Sequence, residues 1–213
     1  MDFDLFKHVL PKIGKMYLPG HELQGQMVPE IRKKFLENPI PDNPPAKWAA
    51  VICLFYPGPL GKTHFVMIRR SDDRGVHARQ IAFPGGRVAP HDVDLKATAL
   101  RECEEEVGIE RTQIEVVCAL SKVYIPPSHY WVQPYIAYMN TEPKFTPQTL
   151  EVDEILQVPL QEFLQEDIIS QQLIKTSYAG NIEVPTFRLQ GHLVWGATAM
   201  MLSEVRFMIK NNI

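Results

Sequence analysis

Residues 83–109 read FPGGRVAPHDVDLKATALRECEEEVGI, and this segment says more about the fold than any other part of the chain. Its second half predicts a helix over residues 94–108, because Asp94 is a preferred N-cap residue and Gly108 suits the position just after a helix. The glycines in FPGG let the backbone approach a neighbouring group closely. The segment therefore predicts a glycine bend followed by one well-delimited helix.

Three glutamates share one side of the predicted helix. At about 100° per residue, Glu102, Glu105 and Glu106 fall within an arc of roughly 100°, while Cys103 and Val107 occupy the neighbouring arc that faces a core. Like charges at this spacing repel by about 0.2–0.5 kcal/mol per pair. A divalent cation such as Mg²⁺ reverses that repulsion. A solvated acidic helix face is the ordinary alternative.

The surroundings of the glutamates favour a metal site. Asp92 and Asp94 follow the glycine bend, and Arg101 is placed to orient a glutamate through a charge-assisted hydrogen bond. A divalent cation neutralises the oxygens of a pyrophosphate bond and acidifies an attacking water. A glutamate without full metal coordination can then act as the general base. The segment therefore predicts a metal-dependent hydrolase that cleaves pyrophosphate bonds.

Strand and helix patterns mix along the rest of the chain. Strands are predicted at 48–56, 64–70, 80–83, 114–124, 131–139 and 152–159, with a hairpin across 173–190 that turns at 179–181. Helices are predicted at 3–13, at 28–37, from 159 onward for a few residues, and at 196–210. Strands and helices do not alternate strictly, which favours a mixed sheet covered by helices over a doubly wound parallel sheet.

The last of these helices, 196–210, is amphipathic. Its pattern places Met200, Val205, Phe207 and Met208 in the core. Glu204 and Lys210 are expected in solvent, because they fall on the polar side of the same helix.

Composition limits the classes of partner. The chain has 213 residues and a net charge of −3, which gives no reason to expect nucleic acid or an anionic membrane as a partner. Its start lacks the basic residues of a signal peptide, and no apolar run approaches the roughly 18 residues of a spanning helix. The three cysteines, Cys53, Cys103 and Cys118, form no CxxC pair and are expected to be buried, reduced thiols. We therefore expect a soluble, cytoplasmic protein.

A proline-rich segment divides the chain. Residues 38–47, NPIPDNPPAK, contain four prolines and predict a linker. We expect residues 1–45 to form an N-terminal helical extension with this linker, and residues 46–213 to form the main domain. Whether the extension packs on the domain or contributes to a dimer contact is open.

The central segment resembles the signature of the Nudix hydrolases, in which a glycine and a glutamate precede Arg-Glu-apolar-x-Glu-Glu-x-Gly-apolar. The second half of the signature is filled completely, by Arg101, Glu102, Cys103, Glu105, Glu106, Gly108 and Ile109. The first half departs from it, because Gly86 lies one residue too far from Arg101 and Val93 takes the position of the glutamate. Asp92, six residues after Gly86, is the substitute.

This lengthening by one residue, with an aspartate, resembles the coenzyme A pyrophosphatase branch of the family. The branch has an upstream motif that is matched by Arg70, Ser71, His77, Gln80, Ala82, Phe83, Pro84, Gly85 and Gly86. Arg79 departs from the motif, which has glycine at that position. The stretches EVDEILQVPL and VWGATAMML also resemble the branch, so the resemblance spans about residues 48–205.

The resemblance implies a fold and a set of site residues. The fold is an α/β/α sandwich around a mixed β-sheet, and the cofactor is Mg²⁺ or Mn²⁺. The implied metal ligands are Glu102, Glu105, Glu106 and the carbonyl of Gly86, with Glu105 as ligand or base and Arg101 beside them in the catalytic set. Glu151 and Asp92 are possible additional acids. The substrate-binding residues that the upstream motif implies are Arg70, His77 and Gln80. Arg79 and Arg87 are also expected to bind substrate, because arginine forks beside an acidic metal site suit phosphate oxygens, with a solvated basic loop as the alternative.

The implied substrate is a small nucleotide. Hydrolysis of coenzyme A or its acyl derivatives to 3′,5′-ADP and 4′-phosphopantetheine is the leading hypothesis. ADP-ribose, a dinucleotide polyphosphate or a capped nucleotide is the alternative, and a non-catalytic nucleotide sensor is a third. Tyr130 and Trp131 either stack on an adenine or pack in the core. Relatives often dimerise, so a homodimer is expected as a possible state.

Overall fold

The computed structural model describes residues 1–33, 45–71, 79–176 and 180–213. The helices in these ranges are α1 Phe3–Lys7, α2 Leu10–Ile13, α3 His21–Gln26, α4 Glu30–Lys33, α5 Leu95–Val107, α6 Leu160–Phe163 and α7 Gly196–Lys210. The strands are β1 Lys47–Pro57, β2 Thr63–Arg70, β3 Ile81–Ala82, β4 Gly85–Arg87, β5 Glu115–Ala119, β6 Val123–Ile125, β7 Tyr130–Tyr138, β8 Val152–Pro159, β9 Ile169–Thr176, β10 Gly180–Leu189 and β11 His192–Val194. None of the helices described is long and apolar enough to cross a membrane.

A mixed sheet of eight strands forms the centre of the molecule. Its main path runs β3-β2-β1-β7-β5, with β8 paired to β2, β4 to β1 and β6 to β7. The β1–β7 pair is parallel, and the other pairs of this sheet are antiparallel. The strands predicted at 48–56 and 64–70 are confirmed as β1 and β2, which pair as an antiparallel hairpin. A smaller antiparallel sheet has the order β11-β10-β9.

The long strand β1 divides two cores, because its successive side chains point to opposite faces. Ile52 and Leu54 face a core that contains the buried side of α5. Cys53 and Phe55 face a second core, which contains α7, the N-terminal helices and the smaller sheet. Helical layers therefore cover both faces of the mixed sheet. The predicted α/β/α sandwich is confirmed.

Several predicted boundaries are wrong. The single helix expected at 3–13 is two short helices, and Pro11 lies in the first turn of α2, where its missing N–H costs nothing. The helix expected at 28–37 is limited to α4 within the described residues, and α3 was not foreseen. The strand expected at 114–124 is interrupted between β5 and β6.

The remaining differences concern short strands. The strand expected at 80–83 is the two-residue β3, and β4 follows it unpredicted. The hairpin expected across 173–190 exists as β9 and β10 but is joined by the further strand β11. Gly180 and Asn181, expected in its turn, begin β10, and residue 179 lies outside the described residues. Of the free cysteines, Cys118 is only partly buried.

The predicted helix 196–210 is confirmed as α7, but two of its side chains were assigned to the wrong environment. Phe207, expected in the core, is 36% exposed, and Glu204, expected in solvent, is fully buried. The Glu204 carboxylate accepts hydrogen bonds from the N–H of Gly20 at 3.1 Å, the N–H of Ser121 at 2.9 Å and the Oγ of Ser121 at 2.7 Å. These hydrogen bonds stabilise the buried carboxylate of Glu204, which helical periodicity alone would place in solvent.

Candidate active site

Helix α5 is fixed by its ends and by its buried face. The Asp94 side chain accepts from the N–H of Ala97 at 2.7 Å, and Gly108 ends the helix with a left-handed φ of 76°. Both end positions were predicted. Cys103 and Val107 are fully buried against the sheet, so the arc that carries the glutamates is turned towards β4.

The glycine bend receives the most buried glutamate. The N–H of Gly85 donates to Glu106 Oε2 at 2.7 Å, and only 1% of the Glu106 side chain is exposed. Gly85 has a φ of 151°, and a Cβ at this position would lie 2.3 Å from the carbonyl oxygen of Ala50. A glycine is therefore needed for β4 to lie on β1 and present its N–H to the helix.

The next residue of the bend abuts a second glutamate. A Cβ on Gly86 would lie 2.3 Å from Glu102 Oε2. The absent side chain therefore makes the room that the carboxylate occupies. Glu102 and Glu106 both lie against the bend, as the sequence predicted.

Arg101 is the centre of a hydrogen-bond network beside these glutamates. Its Nε and Nη2 donate to the two carboxylate oxygens of Asp92, each at 2.9 Å. Its Nη2 also donates to the carbonyl of Arg87 at 2.9 Å. Its Nη1 donates to Glu102 Oε1 and to Glu105 Oε2, each at 2.9 Å. The guanidinium therefore holds the side chains of two glutamates in place.

Asp92 serves that network rather than the glutamate cluster. Its side chain is 3% exposed and also accepts from the N–H of Ala89 at 2.8 Å and Thr98 Oγ1 at 2.9 Å. The hydrogen bonds from Arg101 hold the pKa of this carboxyl well below its usual range. Both oxygens are thus engaged. Asp92 thus holds Arg101 in place, and its role as an additional acid stays a prediction.

The buried glutamates carry unfavourable charge. Burial raises the pKa of Glu106 to about 8, the N–H of Gly85 and the charge of Arg70 oppose this, and the charges of Glu102 and Glu151 add to it. Burial also raises the pKa of Glu102, against the hydrogen bond from Arg101. Glu151 is exposed, yet its charge acts on both buried carboxylates, so it lies near the cluster.

The donor set suits a hard divalent cation by its chemistry. Mg²⁺ and Mn²⁺ prefer oxygen ligands such as carboxylates. The glutamates supply such oxygens both in the buried interior, at Glu106, and at the surface, at Glu105, whose side chain is 55% exposed. A bound cation would offset the burial and the carboxylate repulsion that raise the pKa of Glu102 and Glu106. Across the residues the structure describes, no three acidic, histidine or cysteine side chains converge as a ready-made metal site. Backbone carbonyls and waters, which Mg²⁺ also takes as ligands, would complete a site built on these glutamates.

Four of the five predicted substrate-binding residues lie within the described part of the chain. Arg70 Nη1 lies 3.5 Å from Glu106 Oε1, and the N–H of Arg70 donates to the carbonyl of Gln80 at 3.1 Å. Arg79 is exposed with a left-handed φ of 59°. The guanidinium carbon of Arg87 lies 5.7 Å from the centre of the Tyr130 ring. His77 lies outside the described residues.

A cavity of about 610 Å³ opens beside the network. It is lined by Lys47, Trp48, Arg87, Val88, Asp92, Asp94, Leu95 and Tyr130. The sequence reasoning did not single out Lys47 or Trp48. The signal that could have found them is the pairing of the start of β1 with the start of β7, which brings Lys47 beside Tyr130 and Trp48 beside Trp131.

Comparison with known proteins identifies the family. The NUDIX domain model matches residues 46–176. The uncharacterized Nudix hydrolase NudL of Photorhabdus laumondii is 34% identical over 145 residues, which cover 68% of this chain and 76% of that protein. The mouse (Mus musculus) peroxisomal coenzyme A diphosphatase NUDT7 is 36% identical over 117 residues, which cover 55% of this chain and 49% of that protein. The chain thus spans about half of the mouse relative.

Solved structures share the fold. A MutT/nudix family protein from Enterococcus faecalis superposes with a TM-score of 0.55 at 14% identity, covering 85% of this chain and 69% of that one. At this identity the likeness supports the fold alone. The family model, by contrast, covers the glycine bend, helix α5 and β8 together. The chain belongs to the Nudix hydrolase family.

Proposed function

We propose that this Nudix hydrolase uses Mg²⁺ or Mn²⁺ to cleave the pyrophosphate bond of coenzyme A or an acyl-coenzyme A. The products are 3′,5′-ADP and (acyl-)4′-phosphopantetheine. The main observation in favour of hydrolase activity is that Glu106, which is buried, and Glu102, which is partly buried, lie against the glycine bend. The upstream motif and the likeness to the mouse coenzyme A diphosphatase favour this substrate among nucleoside diphosphate derivatives.

The glutamates divide the work by exposure. Glu102, Glu106 and the carbonyl of Gly86 would hold the cation, because they meet at the bend. When bound, the cation neutralises the anhydride oxygens and acidifies the attacking water. Glu105 is the most exposed of the three, so it can reach a water molecule and accept its proton. Arg101 positions Glu102 and Glu105 through its Nη1.

Cation-rich surroundings favour an anionic substrate. Arg70 lies beside Glu106, and a guanidinium fork suits phosphate oxygens. Glu151 supplies a further carboxylate near the cluster. His77 and Gln80 keep the substrate-binding roles that the upstream motif implies, and Arg79 keeps the phosphate-binding role expected from its charge. A cytoplasmic location and a homodimer stay predictions from the sequence.

Incubation of the purified protein with coenzyme A and Mg²⁺ tests the proposal, with product analysis for 3′,5′-ADP. Glu105→Gln and Glu106→Gln should lose turnover. Glu104→Gln is the matched control, because Glu104 lies on the same helix but hydrogen-bonds to Arg111 outside the cluster. Absence of 3′,5′-ADP with both Mg²⁺ and Mn²⁺ would reject the substrate. Unchanged turnover in the two cluster variants would reject the site.

A second substrate class is favoured by one observation. Arg79 stands where the upstream motif has glycine, and its φ of 59° is a conformation that favours glycine. A long cationic side chain in place of glycine could admit ADP-ribose, a dinucleotide polyphosphate or a capped nucleotide instead. Parallel assays of these compounds and coenzyme A, with the wild type and Arg79→Gly, would separate the two classes.

A further inference from the structure

The cavity at the end of the sheet combines aromatic rings with cations. The Trp48 side chain stacks against Trp131 with ring centroids 6.3 Å apart, and Tyr124 follows on the next strand at 5.4 Å from Trp131. Lys122 Nζ lies 5.3 Å from the Trp48 ring. Trp48 is nevertheless 37% exposed. An exposed, supported indole at a cavity wall is suited to contact a planar ligand.

Two cations flank the tyrosine of the same cavity. Lys47 Nζ lies 5.9 Å and the Arg87 guanidinium carbon 5.7 Å from the centre of the Tyr130 ring. Within the described part of the chain, neither Lys47 nor Arg87 forms an ion pair with a carboxylate. Both side chains are exposed. Their charges are therefore available to an anionic group in the cavity.

The two acids that line the cavity do not cancel these charges. Both oxygens of Asp92 accept hydrogen bonds from the Arg101 guanidinium, so neither is paired with Lys47 or Arg87. Asp94 caps helix α5 by accepting from the N–H of Ala97. Of the two acids that line the cavity, only Asp94 forms no salt bridge with a described residue. Among the described residues, the cavity therefore has two unpaired cations, Lys47 and Arg87, against this one carboxylate.

One residue connects the cavity with the glutamate cluster. The backbone carbonyl of Arg87 accepts from Arg101, which holds Glu102 and Glu105, while the side chain of Arg87 lines the cavity. A ligand in the cavity therefore lies directly next to the hydrolytic site. The volume of about 610 Å³ falls within the range of roughly 300–1,000 Å³ typical of small-molecule sites.

We propose that this cavity binds the nucleoside end of the substrate, and that Lys47 and Arg87 bind a phosphate group on that nucleoside outside the cleaved anhydride. Trp48 and Tyr130 contact the base and the sugar. The substrate class rests on the proposed function, and Lys47 and Arg87 are added as the residues that select a nucleoside with a further phosphate group. The preference for a phosphorylated nucleoside thus comes from Lys47 on β1 and Arg87 on β4, and not from the residues of the upstream motif.

Two nucleotides that contain no pyrophosphate bond, 3′,5′-ADP and 5′-AMP, test the cavity by their binding alone, because the enzyme cannot hydrolyse them at that bond. We expect 3′,5′-ADP to bind the wild-type protein at least about tenfold more tightly than 5′-AMP in isothermal titration calorimetry, because charge-assisted contacts to a phosphate give a preference of this order. The Lys47→Gln/Arg87→Gln double variant should remove this preference. Lys175→Gln, an exposed lysine on β9, is the matched control and should keep it.

The aromatic contacts have a different signature. Trp48→Leu and Tyr130→Leu should weaken 3′,5′-ADP and 5′-AMP by similar factors, because both nucleotides carry the same base and sugar. Circular dichroism and thermal melting of each variant exclude loss of folding as the cause. Equal affinity of the wild type for the two nucleotides, or a preference that survives the double variant, would overturn the proposal.

Hydrolysis assays separate this inference from the proposed function. The wild type should favour coenzyme A over 3′-dephospho-coenzyme A in kcat/KM, and the double variant should lower this ratio about tenfold. If coenzyme A is not hydrolysed but the 3′,5′-ADP preference depends on Lys47 and Arg87, the proposed function fails and the cavity assignment stands. If coenzyme A is hydrolysed with an unchanged ratio in the double variant, the cavity assignment fails alone.

Discussion

Two buried glutamates, one on each helix that flanks the central sheet, differ in their partners. Glu204 on α7 is surrounded by donors, because Gly20 and Ser121 supply three hydrogen bonds to its carboxylate. Glu106 on α5 receives a 2.7 Å bond from Gly85 and lies near the carboxylates of Glu102 and Glu151. A buried carboxylate among donors stabilises a fold. A buried carboxylate that lies near other carboxylates, such as that of Glu106, would be stabilised by a bound cation.

The largest expected effect is on catalysis. Glu106→Gln removes a proposed metal ligand, and we expect kcat to fall by at least about a hundredfold. The metal-free variant should melt no lower than the wild type at pH 7.5, because a neutral amide needs no proton that the unfolded carboxylate would release, while its oxygen can still accept from Gly85. Steady-state kinetics and thermal melting in EDTA check both parts. A large loss of stability would show that Glu106, like Glu204, is structural.

Glu204→Ala should produce the opposite pattern. Removal of the carboxylate leaves the N–H groups of Gly20 and Ser121 without their acceptor, so we expect the free energy of unfolding to fall by about 2–4 kcal/mol. The kcat of the folded fraction should stay within about twofold of the wild type. Urea denaturation and active-site-normalised kinetics measure the two quantities. Loss of kcat at full stability would contradict the division between the helices.

Arg101→Lys tests whether the glutamate cluster depends on a positioned guanidinium. An ammonium group cannot reproduce the bonds to Asp92, Glu102, Glu105 and the carbonyl of Arg87 together. We expect kcat to fall about tenfold to a hundredfold. The KM for coenzyme A should change less, because Arg101 is turned towards the glutamates. A variant with unchanged kcat would mean that the glutamates hold their positions without this network.

The last expected effect is on the pH dependence of stability. The pKa of Glu106 is raised from 4.5 to about 8, so the folded protein keeps a proton that the unfolded chain has lost between these values. The contribution of this group to stability is therefore present below about pH 4.5 and is lost as the pH rises to about 8. In EDTA, the wild-type Tm should fall more steeply over this range than that of Glu106→Gln. Added Mg²⁺ should reduce the difference at pH 8, and parallel curves without metal would contradict the buried charge.

Sequence reasoning succeeded where the determining contacts are local. The ends of α5 follow from Asp94 and Gly108, which act within one helical turn. The closeness of the glutamates to the glycine bend follows from about twenty residues of continuous sequence. The mixed sheet also followed from the order of the elements, because that order already excluded strict alternation of strand and helix.

Sequence reasoning failed where the partners come from distant parts of the chain. Glu204 was expected in solvent because its donors at Gly20 and Ser121 lie 184 and 83 residues away. Lys47 and Trp48 gained no role because β1 pairs with β7 only in the folded sheet. The position of Asp92 within the signature was identified, yet its engagement by Arg101 depends on the path of the loop after β4. Local patterns cannot specify such contacts.

The hydrogen bond from the Gly20 N–H to Glu204 joins residues 184 positions apart. During synthesis on a ribosome, the polypeptide around Gly20 emerges long before the residues of α7. Its final anchor does not exist until α7 has also left the exit tunnel. Since domains tend to fold as units once their parts are available, the emergence of α7 sets the earliest moment at which the segment around Gly20 can acquire this contact.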